Sequence, residues 1–325
     1  MPPERTEQQL ERLGAIAREP MTPEAVEIIR GALSDRSSAV VAKAARIAGG
    51  EGLRELGPDL AKAFDRLMDG NAVQKDKGCG GKTAIAEALR AVEYYAGGVF
   101  ERGIRHVQME PVFGGQADMA AELRASCALG LVDERHPDAA LLAVDLLADP
   151  EMRARIGAVK ALGATGRRDA LLALRLKALL GDAEQEVTAE CFVELLEMDR
   201  RGSFDFVARV LGDADPVRVE AAALALAATR EQRAFEMISA RLQSALDPEL
   251  KKALLLAIGA MRTDESVAYL IQTVSTGSIT SAAGALEALA LAGLGGAVRE
   301  RAGRAVAARG DSRVTAMWAR MGFSG

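Results

Sequence analysis

The stretch DKGCGGKT, Asp76 to Thr83, ends in a glycine, a lysine and a threonine, the ending of a loop that wraps nucleotide phosphates. That chemistry needs backbone N–H groups around the phosphates, a lysine that reaches them and a hydroxyl on magnesium, all set between a buried strand and a helix. Two features exclude it. The position of the loop's first glycine is Asp76, whose carboxylate repels phosphate. Upstream, LAKAFDRLMDGNAVQK reads as a helix and a loop with no strand. Asp76 fits the cap of a following helix instead. Gly78, Gly80 and Gly81 each weaken a helix by up to about 1 kcal/mol, so they mark close backbone approach or a loosely formed first turn.

The second group with chemical potential lies in GGVFERGIRHVQMEPVFGGQAD, residues 97–118. His106 and Glu110 are four residues apart, a spacing that places two metal ligands on one helical turn. Pro111 follows at once and disfavours helix at Glu110, and two ligands do not make a metal site. No metal or cofactor is expected. Arg105, His106, Gln108, Glu110 and Phe113 are instead candidate contacts to a partner, because loops carried on a regular scaffold often hold function. Glu186, Glu190, Glu194 and Glu197 recur on one helical face. They are read as an ion-pair ladder to Arg153, Arg155 and Lys160, with Glu186, Glu190 and Glu194 as further candidate contacts to a basic partner.

Other chemistry is thin. Neither histidine is linked to a nucleophile, and His136 reads as a turn residue. Cys127 and Cys191 sit among apolar neighbours, where a thiol behaves as a small buried hydrophobe; Cys79, between glycines, is expected to be more exposed. No nucleophile elbow, zinc-protease helix or dinucleotide fingerprint stands in a suitable context. No catalytic residue is assigned, and the chain reads as a non-enzyme.

The elements that position these residues follow a repeat. Helices begin at DPEMRARIGAVKALGATG (Asp149), DAEQEVTAECFVELL (Asp182), DPVRVEAAALALAAT (Asp215) and DPELKKALLLAIGAM (Asp247), about 33 residues apart. Aspartate before the first turn accepts a free backbone N–H, and proline at the first helical position loses no hydrogen bond. Second helices lie between, such as DALLALRLKALLGD. A helix pair of this length cannot bury its own apolar face, so neighbours must stack. SDRSSAVVAKAARIAGG from Ser34 and ADMAAELRASCALGLV from Ala117 fit the same template, and GSITSAAGALEALALAG from Gly277 is a weaker copy. From Asp76 to Ala117 the step lengthens to about 41 residues, and residues 97–118 hold the excess.

These segments resemble the HEAT-repeat family, above all its short bacterial form, whose second helix reads D-P-x-V-R-x-x-A-x-x-A-L-G. The resemblance covers most of the chain. It implies an all-α, right-handed solenoid of about nine helix pairs: residues 1–33 as an N-terminal cap built on Glu4 to Arg18, 34–116 irregular repeats, 117–292 regular repeats, and 293–325 a C-terminal cap built on Asp311 to Gly322. The resemblance is specific for fold and says little of function, since the family serves many purposes; the leading reading is a protein-binding scaffold that uses its concave face and the 97–118 loop. Two other roles occur among similar repeats: bilin or small-ligand lyases, and DNA-binding or DNA-repair proteins. The latter would use Arg299, Arg301, Arg304, Arg309, Arg313 and Arg320 near Trp318 and Phe323.

Composition supports a buried helical core. Hydrophobic residues make up 49%, charged residues 27% and aromatics only 4%. The net charge of −5 argues against general nucleic-acid affinity. Three unpaired-looking cysteines and a charged N-terminus without an apolar leader point to a cytoplasmic, reducing setting. The uncharged run from Ser266 to Leu286 is too polar for a membrane span.

Overall fold

A computed structural model of the chain describes residues 3–95, 98–293 and 295–321. Gly97, Gly322 and Phe323, named above, lie outside the described residues. After α1 (Pro3–Ile16), nine helix pairs follow in chain order among the described residues. The first is α2 (Pro23–Leu33) with α3 (Ser38–Gly50). Next come α4 (Gly57–Met68), the short α5 (Ala72–Lys75) and α6 (Gly80–Ala91). The third pair is α7 (Val99–Gly103) with α8 (Ala121–Asp133), separated by strands β1 (Met109–Val112) and β2 (Gly115–Asp118). The remaining pairs are α9 (Ala139–Leu146) with α10 (Met152–Ala164), α11 (Arg168–Leu180) with α12 (Gln185–Met198), and α13 (Arg200–Arg209) with α14 (Pro216–Ala228). They continue through α15 (Gln232–Ser244) and α16 (Pro248–Met261), α17 (Asp264–Thr276) and α18 (Ile279–Leu291), then α19 (Gly296–Arg309) and α20 (Ser312–Arg320). The fold is an all-α helical-repeat solenoid, packed as two compact units, Met1–Ala173 and Leu174–Gly325.

Seven of the nine second helices share one kind of start. Asp35, Asp118, Asp149, Asp182, Asp215, Asp247 and Asp311 each accept the backbone N–H two residues on, at 2.8–3.1 Å. An aspartate there satisfies a donor that the helix leaves unpaired. In the first unit the second helices α3, α6, α8 and α10 pack side by side, burying Val41, Ile85, Leu89, Cys127, Leu131 and Leu162. In the second unit α12, α14, α16 and α18 do the same through Val187, Leu195, Leu226, Leu254, Ile258 and Leu286. Each fully buried leucine or valine contributes about 1.5–3 kcal/mol, so a repeat is stable only beside its neighbour.

Ion pairs stitch successive repeats. Arg90 meets Asp133 at 2.7 Å, Arg153 meets Glu122 at 3.4 Å, and Lys252 meets Glu287 at 3.0 Å. Arg153 thus faces backward to α8. Arg155 donates to the carbonyls of Asp149 and Pro150.

All three cysteines are free thiols and all are buried. The expectation of an exposed Cys79 is corrected: a left-handed turn at φ 58° tucks it inward. Burial pushes the Cys79 and Cys191 thiols up to about 12 and raises Cys127 as well. No helix of the described residues is long and apolar enough to cross a membrane.

Candidate functional site

At the start of α6 the chain departs from the repeat rule. Asp76 does cap this helix, but its carboxylate reaches five and six residues ahead, to Gly81 N at 2.8 Å and Lys82 N at 2.9 Å. Two successive left-handed residues, Gly78 (φ 76°) and Cys79, turn the chain back to make that reach. Glycine is the residue that enters this region without strain. At Gly81 a Cβ would come within 2.9 Å of Leu67 Cδ1 and 3.0 Å of Asp76 Oδ1. Close approach therefore explains Gly81, and backbone conformation explains Gly78.

Lys82, the lysine of the phosphate-loop look-alike, is fully buried, with Nζ 3.1 Å from Asp76 Oδ2. Its ammonium makes no well-aligned hydrogen bond among the described residues, and this ion pair is what holds it. The N–H groups that would surround a phosphate are already answered by the protein's own carboxylates. Asp76 takes Gly81 and Lys82, and Glu110 takes Gly78 N at 2.7 Å.

Glu110 arrives from the 97–118 segment, which is not an irregular loop. It holds α7 and an antiparallel hairpin with Met109 opposite Asp118 and Val112 opposite Gly115, turning at Phe113 and Gly114. His106 and Glu110 therefore do not share a helical turn, and the helical metal-ligand spacing is lost. No metal-binding cluster exists among the described residues.

Within β1 it is Glu110 that turns inward, and Gln108, just before the strand, does the same. Gln108 and Glu110 face inward, 2% and 3% exposed, while Val107, Met109 and Phe113 face out, at 58%, 46% and 108%. Polar in and apolar out is the reverse of an ordinary half-buried strand. The inward polar groups are bonded. Gln108 Nε2 donates to Asp76 O at 2.8 Å and to Glu110 Oε1 at 2.7 Å. His106 Nε2 lies 3.2 Å from Gln108 Oε1. Burial lowers the His106 pKa and outweighs that contact.

A second set of bonds ties the base of the hairpin to α8. Asp118 Oδ1 accepts from Gln108 N and Ala120 N, both at 2.9 Å. Arg124 Nη1 donates to Asp118 Oδ2 at 2.6 Å and to His106 O at 2.8 Å, and the same guanidinium grips both oxygens of Asp149. Burial alone would raise the Asp118 carboxyl. The two backbone N–H groups and Arg124 outweigh it, and the net shift is downward.

Of the sequence candidates, the structure thus brings together His106, Gln108 and Glu110 as the hairpin's interior. Arg105 and Phe113 are left on the surface. On α12, Glu186 is exposed, whereas Glu190 and Glu194 are half-buried and already engaged. Sequence reasoning missed Lys82, Asp118, Arg124 and Asp149 as one network. The available signal was Arg124 within the otherwise small and apolar face of α8, beside Leu123, Ala125 and Cys127. At the C-terminus Arg309 donates to Val274 O and Arg313 pairs with Asp311 at 3.0 Å. The arginine cluster is therefore partly engaged within the fold.

No family model and no curated protein matches the chain. Among solved structures it is similar to the complex of CpcE and CpcF of phycocyanin lyase from Nostoc sp. PCC7120. Identity there is 16%, covering 90% of this chain and 96% of that one, with a TM-score of 0.37. An engineered protein shares 18% identity over 96% of this chain and 93% of its own, at a TM-score of 0.38. Human deoxyhypusine hydroxylase in complex with glycerol shares 16% over 90% and 99%, at 0.26. Similarities of this size transfer no function.

Proposed function

We propose that this chain is a HEAT-like repeat scaffold that binds a protein partner, with the hairpin of the first unit as its main contact. The observation that carries this reading is the reversed polarity of β1 and its flanking residues, where Gln108 and Glu110 lie in a buried network and Val107, Met109 and Phe113 are presented to solvent. Exposing apolar side chains has no folding benefit. A partner that buries them gains about 25 cal/mol per Å², and aromatic side chains are frequent anchors of such contacts.

Phe113 and Met109 are the anchors in this reading, and exposed Arg105 and half-buried His106 add polar contacts. Gln108 and Glu110 hold the strand in place and do not touch the partner. Because the network fixes the hairpin before binding, little ordering remains to oppose association. Exposed Glu186 on α12 offers a further polar contact. Mechanism here is complementarity of shape and charge, with no bond made or broken. The buried free thiols fit a reducing, cytoplasmic setting.

The test is affinity capture from native lysate with nuclease present, comparing the wild-type chain with Phe113→Ala and Arg105→Ala. A partner recovered near stoichiometrically by the wild type should be lost from Phe113→Ala, at an affinity deficit of about 30-fold or more. The melting temperature should hold, since surface substitutions stay within about 0.5 kcal/mol. Equal recovery by all three proteins would remove the hairpin from the interface.

A further inference from the structure

We propose that a groove across the first turns of α14, α16 and α18 in the second unit binds an extended peptide segment of a partner. That segment places an acidic side chain on Lys251 and, toward its other end, a basic side chain near Glu220 and Glu249. This rests on the scaffold reading only in taking the ligand to be part of a protein. The surface is on a different unit from the hairpin.

Three hollows form the groove. One of about 280 Å³ lies between α14 and α16, against Val217, Glu220 and Leu250. The next, of about 330 Å³, lies between α16 and α18, against Leu255, Thr280 and Glu287. The third, of about 370 Å³, joins α16 to the end of α17, against Tyr269, Gln272 and Thr276. The first two share Glu249 and Lys252, and the last two share Lys251, Leu255 and Ser281, so they run together as one surface. Adjacent packed helices sit about 8–10 Å apart. Crossing three of them takes five or six extended residues at about 3.3 Å each. A single small molecule would fill one hollow and leave the others.

Charge gives the groove a direction. Lys252 is held by Glu287 at 3.0 Å. Its neighbour Lys251 is half-buried between the second and third hollows, and its side chain makes no ion pair or hydrogen bond among the described residues. An incoming carboxylate would give that unpaired ammonium a counter-charge. At the opposite end half-buried Glu220, and at the junction of the first two hollows exposed Glu249, also make no ion pair among the described residues. The floor between is apolar, with Leu250, Ala253 and Leu255 all buried. The complement of such a surface is an extended chain with both signs of charge and small apolar side chains between them.

The experiment selects a phage-displayed random heptapeptide library on the full chain and on its Lys251→Glu and Phe113→Ala variants, each first checked for an unchanged melting temperature. The wild type should enrich heptapeptides carrying Asp or Glu about four or five positions from Lys or Arg. A synthetic consensus peptide, followed by fluorescence anisotropy, should bind Lys251→Glu about tenfold or more weakly and Phe113→Ala as it binds wild type. Absence of enrichment over bare support, a consensus without an acidic residue, or an affinity unmoved by Lys251→Glu would each overturn the groove. If the groove fails while Phe113→Ala still loses the lysate partner, the hairpin reading stands alone. If the groove succeeds and Phe113→Ala loses nothing, the hairpin reading falls and the groove remains.

Discussion

At Asp247 in the second unit, a carboxylate takes the N–H of Glu249 two residues on, and Pro248 between them has no N–H to satisfy. At Asp76 in the first unit, the same residue type reaches around a left-handed turn to Gly81 and Lys82 and is itself gripped by Lys82. The first arrangement is complete within three residues. The second needs Glu110, Gln108 and the hairpin, because Gly78 N donates to Glu110. A helix start of the Asp247 kind can be repeated along a chain without reference to anything else. One of the Asp76 kind couples a helix terminus to a distant strand, so the two must form or fail together.

The largest effects should therefore fall on the network. Arg124→Met leaves Asp118 and Asp149 buried without their cation, and removing one partner of a buried pair costs about 3–5 kcal/mol. Urea unfolding should show that loss. Lys82→Met should approach it, while Asp76→Asn combined with Lys82→Met should recover part of the difference, since no lone charge then remains. If Arg124→Met costs no more than a surface change, the two kinds of helix start are energetically alike and the comparison collapses.

Acid should separate the units next. The Asp118 carboxyl is held below its ordinary value, so its stabilising share is present above the unfolded carboxylate pKa, near ~3.9, and is lost as pH falls through the folded value. His106 is held below its ordinary value too. Its unfolded form takes up a proton below about pH 6.5, which the folded form resists, so stability falls from there downward. Both act in one direction. Unfolding followed from pH 7 to pH 4 should lose stability in wild type, and His106→Gln should flatten the part between about 6.5 and 5.

The smallest effect is the cap itself. Asp247→Ala should cost about 1 kcal/mol, read from thermal unfolding, with no change in hydrogen exchange at residues 99–120. A change there would mean that the regular caps are not as local as their bonds indicate.

The same contrast explains what the sequence revealed. Asp149, Asp182, Asp215 and Asp247 announce their helices because the N–H that each accepts lies two residues on, although Asp149 is also held by distant Arg124. The helix pairs are accordingly legible in the sequence. The break in period near residue 97 was legible for the same reason. Which way Gln108 and Glu110 point was not, because that depends on a strand whose partner, Asp118, lies about ten residues on, and on a turn at Gly78. Helical spacing of His106 and Glu110 was an intelligible reading of local sequence, and Pro111 was the local warning against it. Burial of Lys82 and Cys79 had no local signal at all.

The three native thiols sit sealed in the core, their pKa values raised well above that of a free cysteine. At neutral pH they are therefore poor nucleophiles toward an alkylating dye. A cysteine introduced at Gln116, exposed on β2, would react alone in the folded protein, with no need to remove the native three. The chain comes ready for site-specific labelling of its hairpin, and the approach of a partner could be followed there by fluorescence in an otherwise unmodified molecule.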